Sequence, residues 1–402
     1  LVLKDNYSQA WILGYLAKYA LSETLTYQAY IKELASANLI NRAVEYLPDD
    51  KTILERKTAG IGLLRPELAV LLAYTKIVTK NELLKSDLPE DPFFIQMLET
   101  AFPNTINKAY YEASRNHILK REIIATQLSS NVINEMGIVF IYRLQNETGA
   151  TVSEIVRAHA AASAIFNSKK MQRVIELLDF KIPIAMQYEL LFHIRHLVNI
   201  STRWFLHSKR LDDNISQTIE HYAARVKILD NLIVELMTGS TKVFLGKLRE
   251  QFLGAGLTEE LANQIASFRV AYTALNIIEI ATKHNFDLEK TARTYFLVGE
   301  NFNLVWFRDH IANDMREGSW NSMARLTLRD QLDVLQKGLT VNIMKAFKKE
   351  ENVLAAILHW KTRHAASLIR WEKMLAALHE SSTIDYSMFF ITLSELMHLI
   401  EK

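Results

Sequence analysis

Apolar positions in this chain recur every three or four residues and not every two. Ile219, Tyr222, Val226, Leu229, Ile233 and Leu236 step by three and four in alternation, the spacing of a helix with one packed seam. Leu328, Leu332, Leu335, Leu339 and Ile343 do much the same, and Phe389, Leu393, Leu396 and Ile400 form a third, shorter case. Seams of about three heptads are marginal as free coiled coils, so they predict antiparallel packing inside a helical bundle. No segment shows the period-two alternation of a half-buried strand.

Helix punctuation agrees with this reading. Pro66 is expected at a first helical position, where its missing N–H is harmless, with Glu67 beside the positive helix end. Leu68, Leu71, Leu72 and Ile77 then keep a helical face. Thr79 with Glu82, and Thr151 with Glu154, both fit a capping box, and Asp91-Pro92 reads as an N-cap followed by a first turn. The softest points are 137–150, 181–183, 211–214 and 254–256. A division near residue 180 is expected, giving a first helical subdomain over 1–180 and a longer bundle over 181–402.

Composition then narrows the class. The 402 residues include only 12 glycines and 6 prolines, well below the roughly 12% of an ordinary globular chain, and 49% are apolar. The expected fold is all-α, a multi-helix bundle with no Rossmann sheet. With 47 basic against 45 acidic residues the net charge is +2, which argues against a nucleic-acid or anionic-membrane partner. Uncharged stretches end after about a dozen residues, as in 6–17 and 123–134, short of the roughly twenty a spanning helix needs. The absence of cysteine removes disulfides, thiol catalysis and cysteine-ligated metals. No signal-peptide layout opens the chain, and the start at Leu1 without Met reads as a piece of a longer, cytoplasmic protein.

Candidate chemistry is sparse. Gly60-Ile61-Gly62 meets Arg65 where the dinucleotide fingerprint needs its third glycine, and Gly254-Ala255-Gly256 meets Glu259. No phosphate loop, nucleophile elbow or HExxH pair is present. The best metal candidate is Glu189, His193 and His196, which share one helical face; with Arg195 and Arg203 beside them, a hydrogen-bonded buried helix is the favoured reading. Asp49-Asp50 and Asp212-Asp213 lack the third acid of a magnesium–diphosphate clamp and read as exposed helix-start or loop acids. Lys169-Lys170 and the lysines from Lys345 to Lys349, beside Glu350-Glu351, read as solvated faces. Tyr110, Tyr111, Trp204, Trp306, Trp320, Trp360 and Trp371 are scattered among aliphatics and read as core. No catalytic, cofactor-binding or metal residue is assigned.

Ordered segments carry a family resemblance. They are Leu1-Val2-Leu3-Lys4-Asp5-Asn6-Tyr7-Ser8-Gln9, then Gly62-Leu63-Leu64-Arg65-Pro66-Glu67-Leu68 continuing to Ile77, then His117, Arg121-Glu122-Ile123-Ile124 and Arg143-Leu144 to Ala150. Ser319-Trp320, Leu328-Arg329-Asp330 and Leu335-Gln336 match more weakly. Together they resemble the helical C-terminal region of the large bacterial NAD-dependent glutamate dehydrogenases. Glu135, before Gly137, departs from the basic residue expected there, and the last thirty residues match nothing in the pattern.

The resemblance implies a parent enzyme that oxidises glutamate to 2-oxoglutarate and ammonium with NAD, its Rossmann glycines and catalytic groups lying upstream. This chain would then bind no NAD itself. It would brace, assemble or regulate the parent, with the upstream catalytic core as its partner and a homo-oligomer as the assembly. Arg65, Glu67, Arg121, Glu122 and Arg143 lie in the matched segments and are expected to act as caps and inter-helix ion pairs. The alternative is a stand-alone helical interaction module.

Overall fold

The structure is a computed structural model and describes residues 2–208, 214–237, 239–313, 319–346, 352–381 and 385–400. These residues form 22 α-helices and two short 3-10 turns, with no strand among them. The expected all-α fold is what the chain adopts. Two compact units divide it, 1–221 and 222–402, later than the expected boundary near 180.

The first unit holds α1 (Val2–Tyr19), α2 (Thr24–Ser36), α3 (Asp50–Thr58), α4 (Arg65–Leu83), α5 (Gln96–Ala101), α6 (Asn104–Ala109) and α7 (Tyr111–Arg115). It continues with α8 (Lys120–Met136), α9 (Phe140–Thr148), α10 (Val152–Ile165), α11 (Ser168–Glu176) and α12 (Ile184–Ser208). Packing of α12 on α10 and α11 explains why residues beyond 180 belong here. α4 lies against α8, and α1 against both. Leu68, Leu71, Ala125, Ile133, Ile155, Val156, Leu190 and Val198 are fully buried and form much of this core.

The caps explain several starts. Asp49 accepts the Thr52 N–H at 2.7 Å at the head of α3. At α4 the Leu64 N–H donates to Glu67 Oε2 at 2.7 Å, and the helix begins at Arg65, one residue before Pro66. The box at Thr151 and Glu154 forms as expected, with both reciprocal bonds present. Asp91 accepts the Phe93 N–H at 2.9 Å and opens a 3-10 turn. The box expected at Thr79 and Glu82 does not form. Thr79 is buried inside α4 because Leu72, Thr75, Thr79 and Leu83 extend one apolar face, and the continuing hydrogen-bond ladder outweighs a local cap.

The next helix is α13 (Ile215–Leu236). Tyr222, Val226, Leu229 and Ile233 are buried as the seam requires, but Thr218 and Met237 are buried at its ends while Ile219 and Leu236 are only half-buried. A straight helix turns in 3.6 residues and drifts by about 20° per heptad from a 3.5 repeat, which moves the buried line by one position at each end.

The second unit contains α14 (Gly239–Gly254), α15 (Glu259–Ala271), α16 (Thr273–His284), α17 (Leu288–Asn301) and α18 (Leu304–Asn313). It ends with α19 (Ser319–Ala346), α20 (Val353–Arg363), α21 (Ala365–Glu380) and α22 (Tyr386–Ile400). α19 is the central helix, packed by α16, α17, α18, α20 and α22. Its seam residues Leu328, Leu332, Leu335, Leu339 and Ile343 are all 0% exposed. Around them Phe302 meets Trp360 edge-on at 5.6 Å, and Phe307 stacks on Trp371 at 5.7 Å. Trp204, Trp360 and Trp371 are core residues and Trp306 is half-buried, but Trp320 is 81% exposed, and Tyr110 and Tyr111 are also exposed, against expectation. No helix among the described residues is long and apolar enough to cross a membrane.

Candidate functional site

Each unit buries a cluster of polar groups. In the first, Val132 and Leu128 mark the buried face of α8, and Glu135 falls on that face and is buried with them. Ser168 Oγ donates to Glu135 Oε1 at 2.5 Å, and Ser163 Oγ does so at 3.3 Å while lying 2.6 Å from Ser168 Oγ. His159 Nε2 stands 3.2 Å from Glu135 Oε2. Burial alone would push the carboxyl up, but the His159 ring, the Ser168 hydroxyl and Lys169 outweigh it and hold Glu135 at about 2. The acid that breaks the family-like pattern is therefore the node of a buried network.

Arg195 of α12 is also buried, on the face shared with Leu191 and Val198. Its Nη2 donates to the Asn134 carbonyl at 3.0 Å, and its guanidinium sits 3.7 Å from the Tyr15 ring centroid. Burial depresses the guanidinium's proton affinity, and Tyr15 and Glu135 oppose that effect. Tyr15 is itself pushed up by burial, partly offset by Arg195. The group thus joins α1, α8, α10, α11 and α12 with its charges turned on one another.

The second unit is organised by Arg308. Its Nη2 donates to Asp333 Oδ1 at 2.7 Å and to Gln336 Oε1 at 3.0 Å, and its Nη1 to the Tyr272 hydroxyl at 3.3 Å. Gln336 Nε2 donates in turn to the Tyr295 carbonyl at 2.8 Å. Burial works against the charge on Arg308, yet Tyr272 and Asp333 raise its affinity for the proton above the ordinary value. Gly299 makes room for this: a Cβ there would meet Gln336 Nε2 at 2.8 Å.

The residues singled out from sequence separate. Glu189 is half-buried, His193 buried, and His196 stacks on Phe192 at 6.0 Å. Among the described residues no three His, Asp or Glu side chains converge as a metal site. Asp49 caps α3 and Asp50 pairs with Arg42 at 2.8 Å; Asp212, Asp213 and residues 347–351 lie outside the described residues. Three of the five matched residues tie elements together, as expected: Glu67 pairs with Arg56 at 2.7 Å, Arg143 with Glu23 at 3.3 Å, and Arg121 with Glu90 while also bonding the carbonyls of Leu84 and Ser86.

Among the described residues, the glycines at 60 and 62 do not form a phosphate cradle. A Cβ on Gly62 would lie 2.6 Å from the Ala20 carbonyl carbon and the Leu21 nitrogen, so that glycine admits the turn between α1 and α2 and not a pyrophosphate. Beside it in sequence, Gly60 opens no helix preceded by a strand. A pocket of about 80 Å³ lined by Tyr30, Leu34, Thr75 and Tyr142, with an open groove of about 400 Å³ along Leu39 and Val78, is shallow beside an enclosed ligand site. Neither buried cluster follows from sequence spacing. The available signal was a charge, Glu135 or Arg195, on an otherwise apolar helical face.

The comparisons bear on what such a chain belongs to. The family model described as "Glutamate dehydrogenase, C-terminal" matches residues 60–398. The chain is 34% identical over 402 residues to an NAD-specific glutamate dehydrogenase of Pseudomonas aeruginosa and 32% identical to one of Halomonas elongata, covering all of this chain and 25% of each relative. A Mycobacterium tuberculosis protein of the same description is 29% identical over 99% of this chain and 24% of its own length. The chain therefore spans about a quarter of the length of these relatives.

Proposed function

We propose, from the premise that this chain belongs to the glutamate dehydrogenase C-terminal family, that it is the helical brace of an NAD-dependent glutamate dehydrogenase and carries none of the chemistry itself. In the parent, hydride would pass from the glutamate Cα to NAD, and the resulting imine would be hydrolysed to 2-oxoglutarate and ammonium. Such chemistry needs a water-excluding site that aligns donor and acceptor carbons. The observation that carries the reading is the end-to-end match to a quarter of an NAD-specific glutamate dehydrogenase.

The buried clusters support a bracing role over a catalytic one. Glu135 and Arg308 find hydrogen-bond partners inside their own units, which ties together the helices that carry them. The first unit is the part that joins the upstream core, the whole assembles as a cytoplasmic homo-oligomer, and neither nucleic acid nor membrane is a partner. Calorimetric titration of NAD into the 402-residue chain should give no heat of binding. A dissociation constant in the micromolar range would overturn the assignment of NAD to the upstream part.

A further inference from the structure

Between α5 and α8 the chain makes an arm, residues 104–119, built on the short helices α6 and α7. Ser114 is its one buried side chain among those described. The arm nevertheless carries Ile106, Tyr110, Tyr111, Ile118 and Leu119, all exposed, with Ile118 at 92% and Tyr110 at 65%. Helices of five and six residues do not hold themselves together in water, and this pair gains little from the core beneath it. The arm is held to α5 and its end by the Tyr111 hydroxyl, which donates to Glu99 at 3.2 Å, by Arg115 Nη1, which meets that hydroxyl at 2.5 Å and Glu99 at 3.6 Å, and by the His117 ring 5.6 Å from that of Phe102. Five exposed large apolar side chains within sixteen residues, two of them tyrosine, mark a segment that is covered in use.

The length of polypeptide outside this domain tells which occupant suits it. Large side chains present roughly 150–250 Å² each, so these exposures leave on the order of 600 Å² of apolar surface in water, enough for the apolar part of a standard interface. A patch of that size holds a tethered neighbour well, because a linker raises the effective concentration to about the millimolar range. A tethered neighbour of ample size is at hand: this chain accounts for 25% of its P. aeruginosa relative, within a family defined as C-terminal.

We propose that residues 104–119 are the surface on which the upstream part of the same polypeptide docks, with Tyr110 and Ile118 as its anchors. The inference rests on the reading of the chain as one part of a longer enzyme. Exposed Lys108 and Lys120 flank the anchors, with Glu112 as the acid of α7, so the matching surface is an apolar depression with a carboxylate-rich rim.

The test uses the full-length polypeptide with Ile118 replaced by the photo-crosslinking residue p-benzoylphenylalanine, prepared as an equal mixture of light and isotopically heavy copies. After irradiation, mass spectrometry should find position 118 joined to peptides upstream of Leu1, with light–light and heavy–heavy pairs only. Light–heavy pairs would overturn the proposal in favour of a second copy. Crosslinks confined to residues 1–402, or none, would overturn it outright. Glutamate-dependent NADH formation is read on the same samples: its absence would sink the parent-enzyme reading while leaving the crosslink map to judge the arm separately.

Discussion

The guanidinium of Arg195 lies over the ring of Tyr15, 3.7 Å from its centroid, and so fastens α12 to α1 through a buried cation–π contact. The same side chain donates to the Asn134 carbonyl of α8. Arg195→Ala removes both links and a large buried volume, and should cost about 3 kcal/mol. Arg195→Lys keeps a charge without the planar fork and should fall between the two. Urea unfolding midpoints for the three proteins check the order; equal midpoints would mean that this contact contributes nothing.

Glu135 makes stability depend on acid. Its carboxyl titrates at about 2 in the folded chain against an ordinary 4.5, so the folded state holds the ionised form more strongly. Its stabilisation is complete above the ordinary value and is lost as pH falls from about 4.5 through about 2. Glu135→Gln should flatten this part of the melting-temperature profile and lower stability at pH 7. An unchanged acid limb in the variant would contradict the assignment to Glu135.

Two glycines separate a backbone clash from a side-chain clash. A Cβ at Gly62 would meet main-chain atoms of Ala20 and Leu21 at 2.6 Å, whereas one at Gly338 would meet Ile400 Cγ2 at 2.3 Å. Backbone inside a packed crossing cannot retreat, while Ile400 lies at the end of α22 and can turn aside. Gly62→Ala should therefore cost about 2–3 kcal/mol and Gly338→Ala about 1 kcal/mol or less. Thermal melts of the two variants read the difference directly.

The α19 seam gives a stability prediction of a different kind. Leu335 is fully buried among helices, and Leu335→Ala should cost about 2–5 kcal/mol. Trp320→Ala on the same helix removes a side chain that is mostly in water and should leave the midpoint within about 0.5 kcal/mol. Urea denaturation followed by circular dichroism distinguishes them.

These contrasts also show what the sequence makes readable. The period of Leu328, Leu332, Leu335, Leu339 and Ile343 alone identifies a buried helical line, because local geometry decides it. Thr79 and Glu82 mimic a cap, and only the continuing apolar face through Leu83 reveals that the helix runs on. Glu135 is harder still. Its partners His159, Ser163 and Ser168 come from α10 and α11, and no spacing rule brings them together before the fold exists. Trp320, Tyr110 and Tyr111 look like core by composition, yet burial depends on what faces them.

The central claim, that this helical domain braces an enzyme whose chemistry lies upstream, is tested most directly by glutamate-dependent NADH formation. Three samples suffice: the full-length polypeptide, the polypeptide ending before Leu1, and the 402-residue chain. The full-length protein should turn over, the 402-residue chain should not, and the truncated protein, checked by circular dichroism to be folded, should lose most of its activity. Turnover by the 402-residue chain alone, or undiminished turnover after truncation, would contradict the claim.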